Sequence, residues 1–284
     1  MNVSKLFERL GVKNAGEAAG IAFHRFVSDR SVAIVHKPRP GSVELGSGVL
    51  IKIDDTCLVA TAGHVLEGKS PDALAIVPPG NISVDPLDVR RINRIERQNN
   101  LAIDVGWLEL NPEQCKRNGI QFISLDQIKP LQEEDRVQAC FLQGYPWGSA
   151  TASKDSEQLF ISEVQSVGTL QLSIPPDRRR ERHQAGVDIA IEYPSHDGTL
   201  DGLGFPEPFG LSGGGVWLFP CFDEYQIWSP ERATLIGIDR GWWREQREAV
   251  ATRVEFWLRV VATDFPHTKR AIEDLLAATA DATK

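Results

Sequence analysis

A chain of 284 residues, 42% hydrophobic and 25% charged, has the composition of a folded globular protein with room for one large domain or two barrel-sized ones. Its formal net charge of -8 argues against a phosphate-tracking surface, so nucleic acid is not an expected partner. No window approaches the roughly 18 apolar residues of a membrane span, so no membrane partner is expected either.

The one basic run, RRRER at 178–182, follows Pro175 and Pro176 and reads as a solvated loop. The first 30 residues hold Lys5, Glu8, Arg9, Lys13 and Glu17 where a signal peptide would need an apolar core. Cys57, Cys115, Cys140 and Cys221 show no CxxC spacing, and free thiols in a reducing cytosol are the expectation. The six histidines contain no HxxxH or HExxH pair to seat a metal.

In chain order, Val3, Leu6, Phe7 and Leu10 repeat at helical spacing and stop at Gly11. A second helix follows, with Asn14 and Glu17 as a capping pair and Ala18, Ile21, Ala22 and Phe26 as its apolar stripe. From residue 31 the texture turns to short β-like runs: SVAIVHK, GSGVLIKI, TCLVATA, ALAIV and LAIDVGWLEL. Residues 110–135 are poorer in such alternation and suit a linker. A second set follows: RVQACFLQGYP, QLFISEV, GTLQLSI, GVDIAIEYP, GGVWLF and ATLIGIDRGWW. Many short strands without intervening helices imply a sandwich or barrels. Asp264 and Pro266 then open a last helix whose apolar face is Ile272, Leu275 and Leu276.

Three places carry chemistry. His64 stands in TAGHV, directly after the apolar run CLVA. Asp104 sits inside LAIDVGWLEL, where an ionised carboxylate is costly without a partner. Ser212 lies in PFGLSGGGVW between Gly210, Gly213, Gly214 and Gly215, which let the backbone turn sharply and leave the hydroxyl open. The order His64, Asp104, Ser212 is one of the known chain orders of a Ser-His-Asp triad.

On these residues the chain resembles the chymotrypsin/trypsin-like serine peptidases, in an intracellular, disulfide-poor form. TAGHV matches the family's histidine box, LAIDVGWLEL its aspartate strand and GLSGG its Gly-x-Ser-Gly-Gly loop, with GSGVLIKI and LIGIDRGWW as the flanking strands, over residues 31 to about 262. The resemblance implies an all-β fold of two six-stranded antiparallel β-barrels with short helices at both ends. Its parts would be an N-terminal helical extension (1–30), a first barrel with His64 and Asp104 (31–125), a second with Ser212 (126–262) and a C-terminal helix (263–284). It implies His64 as general base, Asp104 as its orienting acid, Ser212 as nucleophile, and the N–H groups of Gly210 and Ser212 as oxyanion hole. Pro206, Asp239, Arg240, Gly241 and Trp242 fall where family members contact the substrate. The substrate would be a protein or peptide, and neither metal nor cofactor would be needed.

Departures from the family also speak. Val65 replaces the cysteine that many secreted members carry beside the histidine, and Leu211 replaces the aspartate that receives a new N-terminus in members activated by cleavage. Pro206 with Glu207 stands six residues before the serine, so strict Arg/Lys specificity does not follow. An armed intracellular peptidase implies gating, by a regulatory protein partner or by the N-terminal helices or residues 194–204. Two other readings compete. One is a catalytically idle relative that binds peptides in the same cleft. The other is an α/β-hydrolase esterase with Ser212 on a nucleophile elbow, Asp239 or Asp264 as acid and His267 as base, which requires a helix after the serine.

Overall fold

A computed structural model describes residues 15–39, 42–78, 86–98, 101–131, 139–146, 150–152, 159–161, 165–172, 184, 186–193, 208–219, 228–243 and 248–281. The helix expected over 3–10, the basic run at 178–182, the loop 194–204, Pro206 and Cys221 lie outside them.

The first unit is a six-stranded antiparallel sheet formed by β1 (Ser31–Arg39), β2 (Ser42–Ile53), β3 (Thr56–Thr61), β4 (Leu74–Val77), β5 (Val89–Gln98) and β6 (Leu101–Leu110). The strand order is β4-β1-β2-β3-β6-β5, and a bridge from Ile76 to Leu87, just before β5, draws its two edges together. The second unit is a closed barrel in the order β10-β11-β14-β13-β12-β7. Its strands are β7 (Ala139–Gly144), β10 (Gln165–Leu172), β11 (Asp188–Glu192), β12 (Gly215–Leu218), β13 (Thr234–Trp243) and β14 (Glu248–Arg253). A small ribbon of β8 (Ala150–Ala152) and β9 (Leu159–Ile161) stands apart. Two six-stranded antiparallel units, with few helices, is the architecture that the resemblance implies; the strand texture alone left a sandwich open.

The unbroken apolar run CLVA now has a physical reason. Every residue of β3 is buried, because both faces of the strand meet protein. Cys57 and Val59 join Val32, Ile34, Leu50 and Leu108 in one apolar cluster. Leu58 and Ala60 face the other way, into a larger cluster with Val49, Ile51, Val105 and, from the second barrel, Trp217, Leu235 and Ile238. A separate cluster of Cys140, Leu142, Ile189, Leu211, Val216 and Ala251 fills the second barrel. Alternation with period two thus gives each strand of the seam one face for its own barrel and one for the partner barrel.

Helices close the seam. In α1 (Ala15–Ser28) the buried face is Ala19, Phe23, Phe26 and Val27, which shares only Phe26 with the expected stripe, and Ile21 is 41% exposed. Both sets satisfy a 3.6-residue period. Packing of Phe23 on Phe141 and Phe219, with ring centroids 4.7 and 5.1 Å away, selects the phase. The linker region holds a short α2 (Pro112–Arg117), N-capped by Asn111. After β14 the chain enters α3 (Val254–Asp264), so the boundary expected at 262 falls inside a helix. This helix returns to the first unit: Trp257 Nε1 donates to the Gly106 carbonyl (3.0 Å), while Trp107 Nε1 and Asn93 Nδ2 donate to Asp264 (2.7 and 2.8 Å). The last helix, α4 (Lys269–Asp281), buries Ile272 fully and Leu275 and Leu276 in part, as its apolar face implies.

Two fold elements argue against the hydrolase-elbow reading. The residues after Ser212 form β12 rather than a helix, and His267 stands at the start of the terminal helical segment, hydrogen-bonded to Thr56 at 2.7 Å. His267→Ala is therefore expected to cost only about 1 kcal/mol in urea unfolding, the value of one partly exposed hydrogen bond, and to leave esterase turnover at the wild-type level.

Candidate active site

β3 ends at Thr61, Ala62 stays extended, and residues 63–66 make one turn of 3-10 helix that carries His64. Packing pins this turn. Leu66 is buried in the first apolar cluster, Val65 fills the space over Gly46, and a Cβ on Gly63 would stand 2.8 Å from Asp104 Oδ1. The imidazole is held by one carboxylate: Nδ1 lies 2.6 Å from Asp104 Oδ2, and the His64 backbone N–H donates to Oδ1 at 2.8 Å. Asp104, on β6, has a side chain 23% exposed, so it is half-buried rather than fully enclosed. The hydrogen bond to Asp104 raises the His64 pKa above its ordinary value, against the effect of burial, and Asp104, Asp239 and Glu67 add charge in the same direction. With its Nδ1 proton directed at the carboxylate, the ring presents Nε2 as an acceptor.

Ser212 sits on a loop whose backbone is almost wholly engaged. The Leu211 N–H donates to the Pro208 carbonyl (3.0 Å), Gly213 to Asp239 (2.7 Å) and Gly214 to Leu211 (2.8 Å). The N–H groups of Gly210 and Ser212 donate to no backbone acceptor among the described residues. Gly210 and Gly213 have φ of 93° and 88°, in the left-handed region that favours glycine. Leu211, where cleavage-activated relatives would need an acid, is fully buried in the second barrel.

A serine that sequence reasoning passed over brings the two halves together. Ser47, on β2 and fully buried, donates its hydroxyl to the Gly210 carbonyl (2.7 Å) and its N–H to the Ser212 carbonyl (2.8 Å). Its hydroxyl also accepts from the Tyr145 N–H (2.8 Å), and its carbonyl accepts from Thr61 Oγ1 (2.7 Å). Gly213 is packed so closely here that a Cβ would stand 2.1 Å from both the Ser47 carbonyl and Thr61 Oγ1. Ser212 is thereby fixed beside the turn of His64. Among the described residues the hydrogen bonds of His64 go to Asp104, and none joins Nε2 to Ser212 Oγ. The sequence signal for Ser47 was its glycine flanks, Gly46 and Gly48, where added Cβ atoms would meet Val65 and Val59.

The residues expected to contact substrate fare differently. Both backbone groups of Asp239 are bonded to the Ser212 loop, its N–H to the Gly214 carbonyl at 2.8 Å, and its side chain is buried. Arg240 reaches Asp188 (2.6 Å) and the Ala102 carbonyl (3.4 Å), linking the two barrels. Burial pushes Asp188 up to about 6, opposed by Arg240 and a Gln184 backbone bond. Trp242 packs edge-on to Tyr193, with centroids 6.0 Å apart, and Gly241 follows a bulge in β13.

Ser47→Ala tests the loop anchor. It is expected to lower stability by about 1–3 kcal/mol, because the buried Tyr145 N–H and Gly210 carbonyl both lose their partner. Wild-type stability in chemical denaturation would mean that the hydroxyl holds nothing.

No family model and no curated protein matches the chain. Among solved structures, the scabies mite inactivated protease paralogue S-I1 is similar over 84% of this chain and 96% of its own, at 16% identity and a TM-score of 0.54. The active form of the Rv3671c protease from M. tuberculosis is similar over 83% of this chain and 81% of its own, at 14% identity and a TM-score of 0.48. With its two antiparallel six-stranded units, the chain has the chymotrypsin-like two-barrel fold of serine proteases.

Proposed function

We propose that the chain is a serine endopeptidase, trypsin-like in mechanism, that cleaves peptide bonds through His64, Asp104 and Ser212. One observation carries this reading: Asp104 grips His64 twice, Oδ2 at the imidazole Nδ1 and Oδ1 at the backbone N–H, next to the glycine loop that carries Ser212. His64 Nε2 takes the Ser212 proton as Oγ attacks the scissile carbonyl carbon, and Asp104 steadies the imidazolium. The oxyanion accepts from the N–H groups of Gly210 and Ser212, donors worth about 3–4 kcal/mol each in such sites. The imidazolium then protonates the leaving amine, and water attacks the acyl-enzyme ester with His64 again as base. Closing of Nε2 onto Oγ belongs to the substrate complex, where loose resting contacts tighten. The substrate is a protein or peptide, a regulatory protein partner gates the chain, and the buried free thiols of Cys57, Cys115 and Cys140 support work in the cytoplasm.

The lack of an Nε2 to Oγ hydrogen bond among the described residues also supports a second reading, an idle relative that binds peptide without cutting it. One reagent separates the two. A fluorophosphonate is expected to label Ser212, mapped by mass spectrometry, and Ser212→Ala to abolish labelling and lower kcat by about 10⁶-fold. A folded wild-type chain that resists labelling would favour the idle relative, and turnover in Ser212→Ala would end the peptidase reading.

Asp104→Asn is expected to lower kcat by about 10⁴-fold while circular dichroism stays unchanged. Only the neutral imidazole can act as base, and Asp104 raises its pKa. The kcat/KM of the wild type should therefore rise with pH through a midpoint above the ordinary 6.5. In Asp104→Asn the residual activity should rise at lower pH, and an unmoved midpoint would separate Asp104 from His64.

A further inference from the structure

Asp239 is a buried acid at the site that the mechanism above leaves idle. A bulge in β13 sets its direction. Asp239 pairs with Ala251 and Gly241 with Val250, so Arg240 is the extra residue and turns away to Asp188. Asp239 shares a face with Ala251, which belongs to the apolar interior of the second barrel, and is only 3% exposed. Its carbonyl accepts the Gly213 N–H and its N–H donates to the Gly214 carbonyl, so it is strapped beneath the residues that follow Ser212. The Gly241 N–H donates to its carboxylate, while Oδ1 is buried with no partner among the described residues.

The charged groups that face Asp239 come from three elements. His64 on the turn after β3 and Arg240 on β13 favour its ionised form, and Asp104 on β6 opposes it. Arg240 is already engaged by Asp188 of β11. Burial, the largest influence, pushes the Asp239 carboxyl up to about 7, into the range where the imidazole titrates. Two carboxylates close to one ring are costly to ionise together unless a cation lies with them. Two arrangements have the same net charge: a neutral His64 with protonated Asp239, and a protonated His64 with ionised Asp239. The second is the one needed when His64 holds the Ser212 proton.

We propose that Asp239 is a positioning residue for His64, a second acid behind the nucleophile loop whose negative charge steadies the imidazolium. Its kinetic consequence rests on the peptidase reading; its effect on the ring does not. The test is a titration of the imidazole by NMR in the full-length chain, with the His64 signal assigned by its loss in His64→Gln. In Asp239→Asn the His64 midpoint is expected to fall by roughly half a pH unit or more, the size of a charge coupling at short range in a partly buried site. A midpoint unchanged to within about 0.2 unit overturns the proposal. If the chain proves to be a peptidase, the acid limb of kcat/KM should fall by the same amount with KM unchanged, a split that a loosened fold would not produce. Should Asp239→Asn fail to fold, the Asp239 carboxyl carbon is followed in the wild type. A two-step titration, with one step shared with His64, supports the proposal. A single step in the ordinary carboxylate range overturns it. Because the readout needs no turnover, a chain that resists fluorophosphonate can still bear the proposal out.

Discussion

The contact on which the site depends is the one between Ser47 and the nucleophile loop. Four hydrogen bonds converge on this buried residue: to the Gly210 and Ser212 carbonyls, from the Tyr145 N–H, and from the Thr61 hydroxyl. Thr61 precedes His64 by three residues, so one residue of β2 references both the His64 turn and the Ser212 loop. Positive φ at Gly210 and Gly213 lets the loop come this close, and at Gly213 there is no room for a Cβ. A catalytic geometry needs its parts held to within a fraction of an ångström, and a fully satisfied buried polar network supplies that rigidity.

Charge is distributed around this anchor according to what can be solvated. Asp104 is half-buried and has both oxygens engaged by His64. Asp188 is buried and answered by Arg240 within the second barrel. Asp239 is almost fully buried and makes no ion pair among the described residues, and burial moves its carboxyl toward neutrality. Three acids with the same chemistry thus take three roles, set by exposure and by the nearest cation.

The seam between the barrels is closed from the chain ends. Phe23 of α1 packs on aromatics of the second barrel, while α3 follows the last strand of that barrel and bonds to Gly106, Trp107 and Asn93 of the first. The helices therefore act as clamps on the interface in which the site lies.

Most strands, the terminal helix and the three chemical motifs were legible from residues alone, because each has a local cause: period-two alternation, glycine beside serine, an acid within an apolar run. Three strands were not, the short β8 among them. In β5 (VRRINRIERQ) the charges dominate the pattern, yet Arg91 lies over the rings of Trp107 and Phe265 and pairs with Glu109. In β14 (EAVATR) alanines hide a buried strand, since Ala249 and Ala251 fit the narrow interior of the second barrel. The phase of α1 was also open, because two apolar stripes fit one helix. By itself the sequence determined which residue types stand ready for chemistry, since backbone freedom and local pattern are properties of neighbours in the chain. Which serine anchors the loop, which acid serves His64 and which turns to Arg240 were decided only by the tertiary structure. Those outcomes depend on burial and on partners remote in the chain, such as Gly210, 163 residues from Ser47.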